Sequence, residues 1–449
     1  MTPKAKKWII ISASILAALA IIAITIVYLY QYMPRAMDID WDGIKQANNG
    51  VTLLAADDPK NATGNPALVK LDENDAITSS EWKVLQFTDM HLSHEMDTTN
   101  ATIKNFIDAL NREKPDFVVL TGDIVTRLGG KVRLEQLAEI FEKAGIYWVY
   151  VLGNHEGDSD PYTVSRTETI RTVAAYDHCL TDPSEKKTSD DKPVWGIGNC
   201  VVNLLGADYN VVQSMIFMDS GDHISQADYD LLSATDPAMS AKSAENTYDY
   251  LKDTQKQWYA EQVRSVTENL TNGVKTMLFI HIPLVEQGYI RYLAAGSEIP
   301  EGYSKIAGSD LVVNGETIGF SVLKDGWKVS ANTYNYEGCC SSTHNNGMYA
   351  LMKEMRAGVN GLFCGHDHIN NTILYEEGVE PPVYLGYGTC SGVQGYSLYK
   401  NGMSEEPGYP DRGYSVITIH SSSNFDVDSV LYAAPTQPIH RIVGGVAVD

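Results

Sequence analysis

Five apolar segments of this sequence each lead into residues that bind metal ions in proteins. Val84–Thr88 leads into Asp-Met-His, and four later segments end in a similar way. The side chains concerned are Asp89, His91, Asp123, Asn154, His281, His366 and His368. Open α/β sheets bind their ligands beyond the carboxyl ends of the strands. Each position alone is a weak signal, because Gly-Asn and similar pairs are common in turns. Five in succession predict one shared site.

The residue types indicate which metals this site would bind. Carboxylate, amide oxygen and imidazole together suit Zn, Fe or Mn rather than a soft thiolate site. Seven such groups are too many for one tetrahedral ion. They suit two ions that share one carboxylate at a separation of about 4 Å or less, as in two-metal hydrolases. The Asp-x-His and His-x-His spacings place both ligands on one side of a strand end.

The elements before the first three ligand positions form a regular series. A strand is predicted at 83–88, and a helix follows with apolar residues at positions 103, 106, 107 and 110. A second strand at 117–121 precedes a helix whose apolar face includes residues 134, 137, 140 and 141. A third strand covers 146–152. This β-α-β-α-β order with short links predicts neighbouring parallel strands.

The remainder of the chain supplies a second set of strands. They are expected at 200–205, 214–218, 276–280, 361–364, 372–375, 383–387 and 414–420, with helices near 250–268 and 346–357. The polar stretch 157–192 is predicted to include a surface insertion. Residues 285–340 show no clear period, and we expect this long excursion to line a substrate pocket.

Charge and size narrow the functional classes. The 449 residues carry a formal net charge of −23, whereas a nucleic-acid-binding protein needs a basic surface. We therefore expect no nucleic-acid partner. Phosphate substrates remain compatible, since bound cations can reverse the charge of a local site.

An apolar segment at residues 8–30 predicts attachment to a membrane. Its 23 uncharged residues would span about 34 Å as a helix, enough to cross a bilayer. Lysines precede it and aspartates follow it, which favours residues 1–7 in the cytoplasm and the rest outside. Residues 31–80 are predicted to be a stalk and lead-in, and 81–449 the globular domain.

The alternative to this single-pass signal anchor is a cleaved signal peptide that releases a secreted protein. Ala18-Leu19-Ala20 resembles a cleavage site. The apolar run continues beyond it through Ile24, which favours the uncleaved anchor. An extracytoplasmic location would permit disulfides among the six cysteines, whose pairing the sequence leaves open. Cys364 lies in an apolar strand and is predicted to belong to the core.

The ordered blocks resemble those of a known family. Asp-x-His, Gly-Asp, Gly-Asn-His-Glu, His and Gly-His-x-His, in this order, resemble the five blocks of the calcineurin-like metallophosphoesterases. The match covers roughly residues 82–420. Asp219-Ser220-Gly221-Asp222, together with His281-Ile282-Pro283 and the last block, is similar to a subgroup related to purple acid phosphatases. The resemblance implies an α/β/β/α sandwich with two inner sheets and outer helices, here preceded by the transmembrane helix.

The resemblance also implies a role for each residue. One metal would be held by Asp89, His91 and His368, the other by Asn154, His281 and His366, and Asp123 would bridge them. His155 would face the phosphate as general acid or transition-state stabiliser. One departure is notable, because purple enzymes have a tyrosine ligand three residues after the bridging aspartate. Thr126 stands there, so no tyrosinate–iron colour is expected.

The family activity is hydrolysis of phosphoric esters. The resemblance implies a phosphomonoesterase that acts outside the membrane by attack of a metal-bound hydroxide. A phosphodiesterase for cyclic nucleotides or glycerophosphodiesters is the alternative, because Asp-x-His occurs in both kinds of enzyme. A non-catalytic binding protein of the same fold is a further alternative, but it would have lost ligands, and all seven are present.

Overall fold

The computed structural model describes residues 2–33, 35–47, 49–126, 130–158, 164–269, 273–331 and 334–448. Its helices, in chain order, are α1 (Pro3–Tyr32), α2 (Met96–Glu113), α3 (Gly130–Ala144), α4 (Arg166–Val173), α5 (Gln226–Ser233), α6 (Pro237–Ser240), α7 (Asp253–Asn269) and α8 (Met348–Glu354). Its strands are β1 (Val51–Leu54), β2 (Ala67–Lys70), β3 (Trp82–Phe87), β4 (Phe117–Thr121), β5 (Tyr147–Val151), β6 (Cys200–Leu205), β7 (Val211–Phe217), β8 (Thr276–Phe279), β9 (Ile290–Ala294), β10 (Tyr303–Lys305), β11 (Leu311–Val313), β12 (Glu316–Lys324), β13 (Trp327–Val329), β14 (Val359–Cys364), β15 (Ile373–Glu376), β16 (Tyr384–Tyr387), β17 (Gly413–Ser421), β18 (Asn424–Leu431), β19 (Ile439–Val443) and β20 (Val446–Ala447).

Two large sheets form the centre of the molecule. One has nine strands in the order β1-β2-β6-β7-β8-β14-β16-β15-β13, and the other has seven in the order β20-β19-β18-β17-β3-β4-β5. Apolar side chains of both sheets, such as Val84 and Phe279, share one buried cluster between them. The outer faces pack under helices, α2 and α3 on one side and α7 and α8 on the other. The predicted α/β/β/α sandwich is confirmed.

Strand β3 shows why these strands are mostly apolar on both faces. Val84 points into the cluster between the sheets, and Leu85 points into the cluster under α2 and α3. Successive side chains on a strand face opposite ways, and both faces are covered here. Strands β3, β4 and β5 are parallel and in register, as predicted. Their carboxyl ends therefore meet at one edge of the sheet, which we call the site edge.

The segment before residue 81 is part of the body rather than a free stalk. Strands β1 and β2 are antiparallel, and β2 joins β6, so the segment extends the larger sheet. Met37 and Ile44 are buried with side chains of α2 and α3. The ordered body therefore begins before residue 81. Its partners lie far along the chain, and hydrophobic periodicity cannot reveal such contacts.

The long excursion after β8 contains a small sheet that the sequence does not predict. Strand β12 pairs with β9, β10 and β11, all antiparallel. Most of these strands are short and half exposed. Short strands with little burial carry no sustained alternation of polar and apolar residues, which explains why the pattern was missed.

One described helix is long and apolar enough to cross a membrane. It covers Pro3–Leu29 within α1, and none of it is buried in the structure. A signal sequence near the N-terminus has the same length and composition, so this observation is compatible with both alternatives.

All six cysteines are free thiols in the structure. Cys364 is completely buried in β14, where burial raises the pKa of its thiol far above the usual range. It is a core residue, as its apolar surroundings predict.

Candidate active site

The site edge brings the predicted ligands together. Two groups that consist only of predicted ligands each offer ligand atoms within 4.8 Å of one another, and a third such group joins His366 to Cys340 and Asp367. The first group contains Asp89, His91 and His368, and the second contains Asp123, His281 and His366. Asn154 adjoins the second group. The distribution over two groups is the one that the resemblance implies.

The first group converges on one point. The Nε2 atoms of His91 and His368 are 3.0 Å apart, and Asp89 Oδ1 lies 3.6 Å from His368 Nε2. Two imidazole nitrogens and a carboxylate oxygen thus face the same small volume. A neutral imidazole nitrogen and a carboxylate are ligands for Zn, Fe or Mn.

The second group is centred on His281. Its Nε2 atom lies 3.1 Å from Asn154 Oδ1 and 3.2 Å from His366 Nδ1. Its other nitrogen, Nδ1, lies 2.8 Å from the carbonyl oxygen of Thr121, to which Nδ1–H donates. This hydrogen bond leaves Nε2 free to bind a cation, which is how proteins orient histidine ligands from behind.

Asp123 connects the two groups. Its Oδ2 atom is 3.3 Å from His281 Nε2 and 3.8 Å from His91 Nε2. One carboxylate oxygen therefore faces both groups, and the geometry fits a ligand shared by two cations. The other oxygen, Oδ1, accepts the backbone N–H of His155 at 2.8 Å, so the carboxylate is held by both atoms.

The charged carboxylate of Asp123 and the neutral imidazoles of His91 and His366 favour the binding of cations, whereas His281 must first lose a proton. Burial opposes the charge of Asp123, but the nearby His281 and His155 hold its pKa well below the usual range. Burial and the neighbouring imidazoles lower the pKa of His91 and His366 to about 3, so both imidazoles are neutral at neutral pH. Burial lowers the pKa of His281, but Asp123 outweighs this and raises it to about 10. A proton and a cation therefore compete for Nε2, and metal binding would release the proton.

The backbone at the ligands is unusual. Asp89, His91, Asp123 and His366 have φ angles of 54°, 49°, 52° and 80°, in the left-handed region that non-glycine residues rarely occupy. Such residues cost of order 1–3 kcal/mol each and cluster at functional sites. Here the strain turns successive ligand side chains of one loop towards the same volume.

Two motif glycines permit the close approach of the loops. A Cβ atom on Gly153 would lie 2.2 Å from Asp123 Oδ1, and one on Gly365 would lie 1.8 Å from Thr88 Oγ1. Both distances are far below van der Waals contact. The glycines in Gly-Asn-His and Gly-His-x-His are thus needed for packing between ligand loops.

Glu156 fastens two ligand loops together. Its carboxylate accepts the backbone N–H groups of Asp123, Ile124 and Gly153 at 3.0, 2.7 and 2.7 Å, and the hydroxyl of Tyr150 at 2.7 Å. The side chain is almost fully buried. The sequence motif Gly-Asn-His-Glu contains this residue but does not reveal its hydrogen-bond partners.

We expect Glu156→Gln to disturb the site without removing any ligand. An amide has one acceptor oxygen, so two of the four donors lose their partner, at about 1–3 kcal/mol for each buried group. Metal affinity should fall by about 10–100-fold, as for other groups that orient ligands. Thermal unfolding and metal content measured beside the exposed control Glu139→Gln would test this. Unchanged metal content would mean that Glu156 stabilises the loops without orienting ligands.

The Asp-Ser-Gly-Asp block supports the second group from behind. Ser220 Oγ accepts the backbone N–H of His281 at 3.3 Å and that of Ile282 at 2.9 Å. Asp219 forms an ion pair with Arg166, whose guanidinium also donates to the carbonyl oxygen of Gly153. Arg166 belongs to α4, within the stretch predicted to contain a surface insertion. It links the block to the loop that carries Asn154.

Aromatic rings border the ligands. The ring of Tyr396 stacks on His368 with centroids 4.6 Å apart, and Tyr248 packs edge-on against His366 at 4.4 Å. His223, which follows the Asp-Ser-Gly-Asp block, stacks on Tyr248 at 5.2 Å. Glu337 of the long excursion accepts the hydroxyl of Tyr396 at 2.7 Å. The excursion therefore contacts a ring that lies beside the site.

Thr126 does not take the place of a tyrosine ligand. Its hydroxyl lies 3.4 Å from His91 Nδ1, the nitrogen on the far side of the ring from the ligand group. It is positioned to support the imidazole rather than to bind a cation.

His155 lies beside the ligands without joining either group. Its ring is 5.4 Å from that of His91, and its Nδ1 is 3.0 Å from Asp158 Oδ2. Burial lowers the pKa of His155, but Asp123 and Asp158 outweigh it and raise the pKa to about 9. The imidazole is therefore protonated at neutral pH, as a general acid must be.

Asp158 contributes with Asp123 to the raised pKa of His155, and we expect Asp158→Asn to lower that pKa by about 1 unit or more. A general acid works only while protonated, so turnover declines as pH rises through its pKa. The alkaline limb of the profile of kcat/KM against pH should therefore move to lower pH in the variant. The control is Asp230→Asn, an exposed substitution in α5. An unshifted limb would show that another group controls it.

Several known proteins are similar to this chain in sequence or in structure. The family model for calcineurin-like phosphoesterases matches residues 83–370. The Saccharomyces cerevisiae protein named Phosphatase DCR2 is 26% identical over 349 residues, which cover 73% of this chain and 50% of that protein, so the chain spans half its length. The Arabidopsis thaliana protein named Probable inactive purple acid phosphatase 14 is 22% identical over 357 residues, covering 71% and 72%. A dimetal phosphatase structure from Danio rerio aligns with 81% of this chain and 99% of its own, at 9% identity and a TM-score of 0.45.

Proposed function

Because the chain belongs to the calcineurin-like phosphoesterases, we propose that it hydrolyses phosphomonoesters at a two-metal centre. The observation that carries this proposal is the position of Asp123 Oδ2, which faces both ligand groups. A protonated histidine, His155, lies next to it. This combination provides charge neutralisation and a proton, the two requirements of phosphoryl transfer to water.

The proposed metal ligands follow the two groups. Asp89, His91 and His368 would hold one ion, Asn154, His281 and His366 would hold the second, and Asp123 would be shared between them. Oxygen and imidazole ligands without thiolate suit Fe, Zn or Mn. Ions bound there would supply a Lewis acid for phosphate oxygens and an activated water.

The residues of the chain supply the rest of the chemistry. His155 Nδ1 is engaged by Asp158, so the remaining ring nitrogen, Nε2, is the atom that gives its proton to the leaving-group oxygen. Glu156 and Ser220 hold the ligand loops in place through backbone N–H groups. A site held in this way needs little reorganisation when charge develops on the phosphate.

Metal analysis and a substrate panel test this function directly. The purified protein should contain about two equivalents of metal, and a chelator should abolish its activity. It should hydrolyse aryl and alkyl phosphomonoesters faster than matched phosphodiesters. Faster hydrolysis of the phosphodiesters would instead identify the protein as a phosphodiesterase. Hydrolysis of neither class with full metal content would identify the non-catalytic binding protein, an outcome that the relative named as probably inactive makes worth testing.

For the location, we propose a single-pass protein with residues 1–7 in the cytoplasm, 8–30 in the membrane and the catalytic domain outside. The apolar helix and the lysines before it support this orientation. Protease added to intact cells should cleave the domain if it also cleaves the purified protein. A domain that is protected only in intact cells would contradict the orientation. A mature N-terminus near Ile21 would replace the anchor by a cleaved signal.

A further inference from the structure

The residues that follow the apolar helix are fastened along the surface of the catalytic body. We call residues 35–47 and Asn49 the strap. The side chains of Met37, Ile39, Ile44 and Ala47 are 4–8% exposed and pack in the core cluster formed with α2 and α3. Backbone groups are fixed as well, because Met37 N donates to Gln136 Oε1 at 2.7 Å and Ala47 N to Ala144 O at 3.0 Å. The strap therefore has one defined path.

That path has a direction relative to α2. Asp38 N donates to Asn100 Oδ1 at 3.0 Å, about one turn from the first residue of α2. Lys45 N donates to Asn111 Oδ1 at 2.8 Å, close to the last residue, Glu113. Asn49 Nδ2 then reaches the carbonyl oxygen of Lys114 at 2.7 Å, just before β4. The strap thus runs parallel to α2, over about 16 Å between the two asparagines.

The direction of α2 is known from the sheet. The helix begins after the loop of Asp89 and His91, at the carboxyl end of β3, and it ends before the amino end of β4. Its first turn is therefore at the site edge and its last turn at the opposite edge. Because the strap is parallel to α2, the end that connects to the apolar helix lies towards the site edge.

The connection to the helix is short. Helix α1 ends at Tyr32, and the backbone N–H of Met37 is held by Gln136. Five residue steps span at most about 18 Å. If α1 enters a membrane, its surface lies within that reach of the strap end nearest the ligand loops. A catalytic body on a long flexible stalk would have no such restriction.

We propose that the site edge faces the membrane entered by α1, and that the substrate is a phosphomonoester headgroup of a lipid in that same membrane. This rests on the proposed function and on the uncleaved anchor. The net charge of −23 gives the body no electrostatic attraction to an anionic surface. The short tether replaces that attraction, since it makes the encounter with a lipid intramolecular, with an effective concentration in the millimolar range.

The first test uses the full-length protein in phosphatidylcholine vesicles that contain phosphatidic acid. A variant with 20 Gly/Ser residues inserted after Met33 has a linker of about 25 Å average span, which frees the body from its fixed orientation. The native chain should hydrolyse phosphatidic acid in its own vesicles at least about tenfold faster than the variant. Both should hydrolyse a soluble aryl phosphate at equal rates. Equal rates on the lipid would overturn the proposal, and so would hydrolysis of the soluble ester alone.

The outcomes of these assays distinguish failure of the membrane proposal from failure of the proposed phosphomonoesterase activity. A metal-loaded native chain that hydrolyses neither ester would refute the phosphomonoesterase activity itself. Recovery of the protein without α1 in the soluble fraction would overturn the membrane proposal while leaving the activity in place. Lipid hydrolysis at the same rate whether the lipid is in the protein's own vesicles or in separate ones would also overturn it.

A second measurement reports orientation without catalysis. Glu95→Cys places a dye at the start of α2, on the site edge, and Ser423→Cys places one in the β17–β18 turn at the opposite edge. Neither residue belongs to the proposed ligand set. Energy transfer to acceptor lipids should be stronger from position 95, after subtraction of the labelling of the native chain. Stronger transfer from position 423 would overturn the proposal.

Discussion

Asp123→Asn should weaken metal binding at both positions, because Asp123 Oδ2 faces both ligand groups. The substitution keeps the size of the side chain but removes its negative charge. An amide presents only one acceptor atom, and Asp123 uses both oxygens, Oδ1 for the N–H of His155 and Oδ2 for the two ligand groups. One of these interactions must therefore fail whichever way the amide turns.

The expected loss of metal affinity in Asp123→Asn can be judged from substitutions that disturb a metal site less. Loss of a group that only orients a ligand costs about 10–100-fold in metal affinity, so loss of a shared ligand charge should cost at least about 100-fold. Elemental analysis of the purified variant should show less than the native content of both ions, and turnover should fall with it. Asp57→Asn, an exposed substitution before β2, is the matched control. Full metal content and full turnover in Asp123→Asn would refute the two-metal assignment.

The sequence was sufficient for the parts of the site that depend on local pattern. Strands β3, β4 and β5 are mostly apolar, and each is followed at once by a polar motif, so their carboxyl ends and the candidate ligands could be predicted. The helices between them have apolar residues at helical spacing, and these side chains, such as Phe106 and Phe141, are buried as expected. Both the strand ends and the buried helix faces could be predicted because they depend on neighbouring residues in the sequence.

The parts that were missed depend on contacts between distant residues. Glu156 accepts the backbone N–H groups of Asp123 and Ile124, which lie 33 and 32 positions earlier in the chain. Arg166 reaches Asp219 across 53 positions. The strap resembles a linker in composition, and its order comes from α2 and α3, which lie about 60–100 positions later. No window of the sequence contains both partners of these interactions.

His155→Ala separates the chemistry from the binding of metal. His155 adjoins Asn154 in the sequence, yet its ring lies beside His91 and pairs with Asp158, while Asn154 faces His281. The variant should therefore keep near-native metal content. Turnover of alkyl phosphates should fall by about 10²–10⁴-fold, the usual contribution of a general acid. His420→Ala, at the opposite edge of the sheet beside Glu81, is the matched control.

A comparison of aryl and alkyl phosphates in His155→Ala reveals which role His155 plays. An aryl phosphate has a leaving group that needs little protonation, so the loss in His155→Ala should shrink for that ester if His155 is the acid. The alkaline limb of the native pH profile should also disappear from the variant, because the variant lacks the imidazole proton whose loss would produce that limb. An equal loss for aryl and alkyl esters would instead assign His155 to stabilising charge on the phosphate oxygens. Stoichiometric loss of metal would make it a ligand, and native rates on both esters would remove it from the mechanism.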